Sequence, residues 1–201
     1  MNRSSPKDLL LIPNILTLLR ILLIFPGIFL IHSGNRAGAV ITVTVLFLTD
    51  FFDGYLARKL NQTSYIGSIL DPVADKFVVL SFFTFFYFSG TVPLFYFLLI
   101  LVRDIAQLLS VPVLLLWKKI SFKVAPKLTP KIGTALNFVI LGTAGFVFLF
   151  PDIQFSTSIQ SPEMIFMILV YAVSSAIELY ILFTYIPRFV QIYRGTHDTF
   201  E

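Results

Sequence analysis

Two long stretches of this chain carry no charged residue: 26 positions between Lys76 and Arg103, and 20 between Lys131 and Asp152. A helix needs about 20 consecutive apolar residues to cross the hydrocarbon core of a bilayer. Stretches of that length, in a chain this short, point to a bundle of membrane-spanning helices. Composition agrees: 57% of the 201 residues are hydrophobic and 13% are charged, where soluble chains run at about 45–50% and about 25%. An ordinary soluble domain is excluded, and little length is left over for one.

Six spans fit the apolar pattern, at roughly 14–33, 36–59, 67–89, 92–117, 132–150 and 163–187. The breaks between them carry turn chemistry: Ser33-Gly34-Asn35, Ser89-Gly90, Pro93 near a helix start, and Pro151 after the fifth span. The segment from Lys118 to Lys131 is too polar to span and reads as an interfacial helix or a loop. A short surface helix fits between Pro6 and Pro13. Arg3 and Lys7 precede the first apolar run as in a signal peptide, but Pro13 and Arg20 interrupt it and no A-x-A cleavage pattern follows. The run therefore reads as retained.

Six spans put both termini on one side, and the basic residues orient them. Arg3, Lys7, Arg58, Lys59, Lys118, Lys119, Lys123, Lys127, Lys131, Arg188 and Arg194 fall on the side of the termini, against Arg36 alone on the other. By the positive-inside rule the termini are cytoplasmic. Basic residues confined to short loops beside apolar helices serve orientation, so no nucleic-acid partner is implied. With no cysteine in the chain there is no disulfide framework, thiolate metal site or cysteine nucleophile. No repeat or linker is visible, and 1–201 reads as a single all-α membrane domain.

Subtracting the loop charges leaves Arg20, Asp50, Asp53, Asp71, Asp75, Lys76, Arg103, Asp104 and Glu178 within or at the edges of the spans. A charge near the bilayer centre costs about 2.5–3.5 kcal/mol even on the lenient insertion scale, which makes such residues functional by default. Adjacent residues on a helix do not face one another, so neither Arg103–Asp104 nor Asp75–Lys76 is expected to form a self-contained pair. Glu178 has no evident partner.

The four aspartates are the informative set. Asp50 and Asp53 are three apart and share a helical face with Ala57; Asp71 and Asp75 are four apart on the next span. The loop between the spans is short, so the two pairs converge near the cytoplasmic surface. Four carboxylates so placed repel one another unless cations intervene. Oxygen-only ligation selects Mg²⁺, Mn²⁺ or Ca²⁺ over zinc, and four carboxylates suit two ions of the kind used in phosphoryl chemistry. On residues alone, a cation or proton pathway, as in an ion or solute carrier, is the competing reading. Gly54 and Gly67 serve helix packing or let a bulky ligand lie against backbone. Arg58, one turn beyond Gly54, is a membrane anchor or a bidentate partner for phosphate.

Together these residues read Asp50-x2-Asp53-Gly54-x2-Ala57-Arg58-x8-Gly67-x3-Asp71-x3-Asp75. The pattern resembles the signature of the CDP-alcohol phosphotransferase family at all eight fixed positions and every spacing, a coincidence expected about once in 10^10 starting points at average composition. The stretch Pro13-Asn14-x-Leu16-Thr17-x2-Arg20 is similar to the opening of the branch that includes phosphatidylglycerophosphate synthases and cardiolipin synthases. The resemblance implies transfer of a phosphatidyl group from CDP-diacylglycerol to an alcohol, with release of CMP. It further implies two divalent cations, Mg²⁺ or Mn²⁺, on Asp50, Asp53, Asp71 and Asp75, with Asp75 also the base. Asp53, Gly54, Ala57, Arg58 and Gly67 would line the nucleotide. A homodimer, contact with membrane lipid, and an active site on the cytoplasmic face (of the inner membrane, in a bacterium) are implied as well.

For the acceptor, Arg20, Arg103 and Lys131 are the cations that could meet the phosphate of glycerol 3-phosphate, which is the expected substrate. The segment Lys131-Ile132-Gly133-Thr134 departs from the Gly-Lys-x-Lys-Thr common in phosphatidylglycerophosphate synthases, and Asp104 stands where they commonly carry Glu. Both departures resemble cardiolipin synthases, whose acceptor is phosphatidylglycerol.

Overall fold

A computed structural model describes residues 11–59, 65–112, 123–124, 128–153, 161–195 and 199–200. Six helices make up nearly all of it: α1 (Ile12–His32), α2 (Arg36–Lys59), α3 (Tyr65–Phe88), α4 (Leu94–Pro112), α5 (Leu128–Leu149) and α6 (Pro162–Tyr193). Two two-residue strands, β1 (Lys123–Val124) and β2 (Thr199–Phe200), pair in parallel. The all-helical expectation holds, and the first three helices start and stop within two residues of the predicted spans. Residues 6–10 of the surface helix expected between Pro6 and Pro13, and most of the 118–131 segment, lie outside the described residues, while Ile12 and Pro13 open α1.

Two boundaries differ in an instructive way. The sixth helix does not end at Pro187 but runs to Tyr193, because proline removes one N–H while its own φ stays compatible with a helix. It closes on Gly195, whose φ of 73° suits glycine and whose N–H donates to the Ile192 carbonyl at 3.0 Å. The fifth begins at Leu128 and takes Lys131 into its first turns.

Among the described residues α1, α5 and α6 are long and apolar enough to cross a membrane, and the Arg36–Thr49 part of α2 is a shorter apolar helix. Each of α2, α3 and α4 carries two or more charged residues. The outward surface is apolar: Leu22, Phe25, Phe29, Leu169 and Phe183 are all more than half exposed. Polar groups such as Arg20, Arg103, Asp104 and Glu178 are buried instead. That inversion suits lipid as the solvent.

The helices fall into two compact units, Met1–Phe85 and Phe86–Glu201, with the division inside α3. In the first, α1 buries Pro13, Asn14, Thr17, Arg20, Ile24, Gly27 and Ile31, a stripe at steps of three and four that defines one helical face. The turn to α2 uses Gly34 at φ 70°. Asn35 then caps α2 by accepting the Gly38 N–H at 3.0 Å. Gly27 backs onto Thr42 of α2 and Phe82 of α3, which brings the three helices together.

In the second unit α6 packs against both α4 and α5. Ser161 caps α6, its Oγ accepting the Met164 N–H at 3.3 Å, with Pro162 in the first turn. Tyr96, Ile100, Ile140, Ala144 and Ile181 form the core.

Candidate active site

The aspartates of α3 meet the buried face of α1. Thr17 Oγ1 donates to Asp71 Oδ1 at 2.9 Å, with the Pro13 carbonyl as its other neighbour at 3.0 Å. A hydroxyl has one proton to give, and the charged acceptor is the stronger of the two. One turn along, Arg20 Nη1 donates to Asp75 Oδ1 in an ion pair. The two sides differ in access: the Arg20 side chain is 1% exposed and that of Asp75 55%. Asp75 thus presents its carboxylate to solvent while being gripped from the protein side. Gly67 is buried one turn before Asp71, on the same face of α3.

Asp50, Asp53, Gly54, Ala57 and Arg58 lie on α2 with the helical spacing expected of them, but their side chains fall outside the described residues. Among the described residues no three acidic or histidine side chains come together as a metal centre; Asp71 and Asp75 supply two of the expected four. The donor set is carboxylate oxygen throughout, with Asp75 open to solvent, and that chemistry fits a hard divalent cation.

The second unit holds a separate polar cluster in its core. Tyr96 Oη of α4 donates to Asn137 Oδ1 of α5 at 2.5 Å. That spends the phenolic proton, so Ser174 Oγ of α6, 2.6 Å away, is the donor to the same oxygen. Asn137 Nδ2 donates to Glu178 Oε1 at 2.9 Å, and Arg103 Nη2 donates to that oxygen at 3.2 Å. Arg103 Nε lies 3.0 Å from both Glu178 Oε2 and Asp104 Oδ1. All six residues are buried.

This bears on two readings of the sequence. As expected, Arg103 and Asp104 are not a self-contained pair: the arginine Nε lies 3.0 Å from Asp104 and also from Glu178, which approaches from α6. Glu178 is partnered by Arg103 and Asn137. In consequence Arg103, one of the three expected acceptor cations, is engaged by two carboxylates. Arg20, the second, is engaged by Asp75. Lys131, the third, is exposed on α5. Gly133 is glycine for a visible reason: a Cβ there would stand 3.2 Å from Glu178 Oε1 and Ile181 Cδ1, and 3.3 Å from Ile177 Cγ2.

The residues that sequence reasoning passed over are Thr17, Tyr96, Asn137 and Ser174. Thr17 stood inside the quoted N-terminal pattern, three residues before Arg20. Ser174 is one turn from Glu178 and Tyr96 two turns from Arg103, so helical spacing from the intramembrane charges would have found both.

Residues 10–184 match the family described as CDP-alcohol phosphatidyltransferase. A CDP-diacylglycerol–glycerol-3-phosphate 3-phosphatidyltransferase of Aquifex aeolicus is 41% identical over 102 residues, 49% of this chain and 57% of that protein. A protein of Mycobacterium tuberculosis provisionally named cardiolipin synthase is 31% identical over 150 residues, 74% of this chain and 66% of its own. The Escherichia coli CDP-diacylglycerol–glycerol-3-phosphate 3-phosphatidyltransferase is 44% identical over 71 residues, 34% of this chain and 39% of the enzyme. The matched segments span less than two thirds of each relative's length. No solved structure matches the chain.

Proposed function

The chain belongs to the CDP-alcohol phosphatidyltransferase family, and on that premise we propose that it transfers the phosphatidyl group of CDP-diacylglycerol to glycerol 3-phosphate, releasing CMP. The observation that carries the reading is the aspartate signature of α2 and α3, supported by relatives named for this transfer. An acceptor hydroxyl oxygen attacks the phosphatidyl phosphorus, the bond from that phosphorus to the CMP oxygen breaks, and CMP leaves with the electron pair. Asp75, open to ligands, takes the hydroxyl proton. Asp53, Gly54, Ala57, Arg58 and Gly67 line the nucleotide, with Arg58 on phosphate oxygens. Asp50, Asp53, Asp71 and Asp75 are the proposed ligands of two divalent cations, Mg²⁺ or Mn²⁺, whose chemistry when bound is to neutralise the diphosphate and the departing CMP.

The apolar helices and the family make this a membrane protein. We extend that to six spans in one domain, both termini and the active site on the cytoplasmic face, and assembly as a homodimer. The single-domain reading is supported by a family match that runs across both compact units. The carrier reading of the aspartates is set aside, since the family is one of phosphatidyl transfer.

A second acceptor has a specific observation in its favour. Arg103 is taken up by Asp104 and Glu178, which leaves Lys131 as the exposed cation for a phosphate, and the protein matched over 74% of the chain carries a cardiolipin synthase name. The test is purified protein with CDP-diacylglycerol, Mg²⁺ and each acceptor separately, with the lipid product identified. Phosphatidylglycerophosphate, formed less readily by Lys131→Ala, supports glycerol 3-phosphate. Cardiolipin from phosphatidylglycerol, with glycerol 3-phosphate inert, overturns that acceptor and leaves the rest of the chemistry standing.

A further inference from the structure

We infer that Arg20 and Thr17 are positioning residues for the α3 carboxylates: Arg20 fixes the base Asp75, and Thr17 fixes Asp71. The inference rests on the proposed role of Asp75 as base. It starts from an oddity of α1. This helix is apolar enough to cross a membrane, yet Asn14, Thr17 and Arg20 lie at steps of three along its buried face, at 2%, 0% and 1% exposure. Burying such groups in an apolar span is costly unless each has a directed partner. For two of the three the partners are the two aspartates of the signature, Asp71 and Asp75. The spacing matches across the contact: Thr17 to Arg20 is one turn of α1, and Asp71 to Asp75 is one turn of α3.

The asymmetry of access separates this role from binding the acceptor. A phosphate arriving from water meets an Arg20 side chain that is 1% exposed and already donates to Asp75. Arg20 therefore acts through Asp75. A guanidinium donating to Oδ1 from the buried side restricts the carboxylate's rotation about its side-chain bonds and keeps the accessible part of the group turned outward. A base must lie within hydrogen-bond reach of the proton it takes, so the ion pair serves geometry. Thr17 does for Asp71 what Arg20 does for Asp75, with a neutral and weaker donor.

The experiment measures initial rates of CMP release with CDP-diacylglycerol and glycerol 3-phosphate each varied. It compares the wild-type protein with Arg20→Gln, Arg20→Lys, Thr17→Val, Thr17→Ser and Asp75→Asn, and thermal unfolding of each confirms that the fold is intact. Arg20→Gln should lower kcat about 100-fold, the order expected of a misplaced reacting group, while KM for glycerol 3-phosphate changes less than about threefold. Arg20→Lys, which keeps the charge and loses the fork, should recover part of that loss. Thr17→Val should lower kcat about tenfold, the order of one lost hydrogen bond to a charged group, and Thr17→Ser should restore it.

A raised KM for glycerol 3-phosphate with kcat unchanged would make Arg20 an acceptor contact and overturn the inference. So would an Arg20→Gln protein that is fully active, or one that loses activity only in proportion to lost folding while Arg20→Lys recovers none. The Asp75→Asn arm tells this failure from failure of the underlying reading: an active Asp75→Asn protein removes the base itself, whereas an inactive one leaves the base in place and isolates the role of Arg20.

Discussion

Arg103→Met should destabilise the protein far more than Glu178→Gln, although each breaks the same buried pair. The difference comes from charge balance. The cluster holds one guanidinium and two carboxylates, with Asp104 and Glu178 both at 0% exposure and Arg103 at 3%. Methionine at 103 fills much of the space but takes the guanidinium away from two buried carboxylates. Removing one partner of a buried pair costs about 3–5 kcal/mol, and here two carboxylates lose the same guanidinium. Glutamine at 178 leaves Arg103 beside Asp104 at 3.0 Å; its carbonyl oxygen can still accept from Asn137 and from Arg103 Nη2, while its NH2 then faces the Arg103 Nε donor. What is lost is the excess of a charge-assisted bond over a neutral one together with the Nε–Oε2 contact, about 1–2 kcal/mol.

Unfolding in mixed micelles of increasing denaturing detergent, followed by circular dichroism, measures both changes. A third variant locates the effect: Gly133→Ala places a methyl 3.2 Å from Glu178 Oε1 and should cost about 1–3 kcal/mol by overpacking, less if Glu178 is shortened to Ala as well. Equal destabilisation by Arg103→Met and Glu178→Gln, or a larger effect of the glutamine, would refute the charge argument.

Two further outcomes follow from the proposed site and topology. Chelation of divalent cations should abolish CMP release, and Asp50→Asn, Asp53→Asn and Asp71→Asn should each raise the Mg²⁺ concentration needed and lower turnover by at least about 100-fold; full turnover in metal-free buffer would remove the two-cation reading. Because the chain has no cysteine, single cysteines report topology without background: at Gln62 and Lys123 they should be labelled from the cytoplasm, and at Asn35 from outside. Labelling of Gln62 and Asn35 from the same side would overturn six spans.

How much the sequence disclosed depended on how far apart the interacting residues lie along the chain. Helices and their turns are local, and Gly34, Asn35 and Gly90 mark their own positions by backbone angle or capping. The aspartate pairs are local too, each within one turn of a helix, so their face could be read from spacing. Partners across helices could not. Arg20 meets Asp75 and Arg103 meets Glu178 over separations of 55 and 75 residues, and nothing in a run of apolar side chains says which faces of α4 and α6 meet. The Arg103–Asp104 contact, shared with Glu178, was hidden for a different reason. The rule that adjacent helical residues diverge holds for short side chains, whereas an arginine has the length to fold back once Glu178 draws its guanidinium to that side.

That neighbouring pair also bears on the order in which the protein is made. Ribosomes deliver α4 well before α6, so when α4 reaches the membrane its arginine has no Glu178 to meet. If α4 inserts as a span at that moment, a lone arginine would burden the step by about 2.5–3.5 kcal/mol. Asp104 is already present, one residue away and 3.0 Å from Arg103 Nε in the finished fold. It can escort the positive charge through insertion until α6 arrives and Glu178 completes the cluster. The second carboxylate of the folded cluster would then serve as a temporary counter-ion carried on the same helix, so long as the pair crosses as a neutral unit.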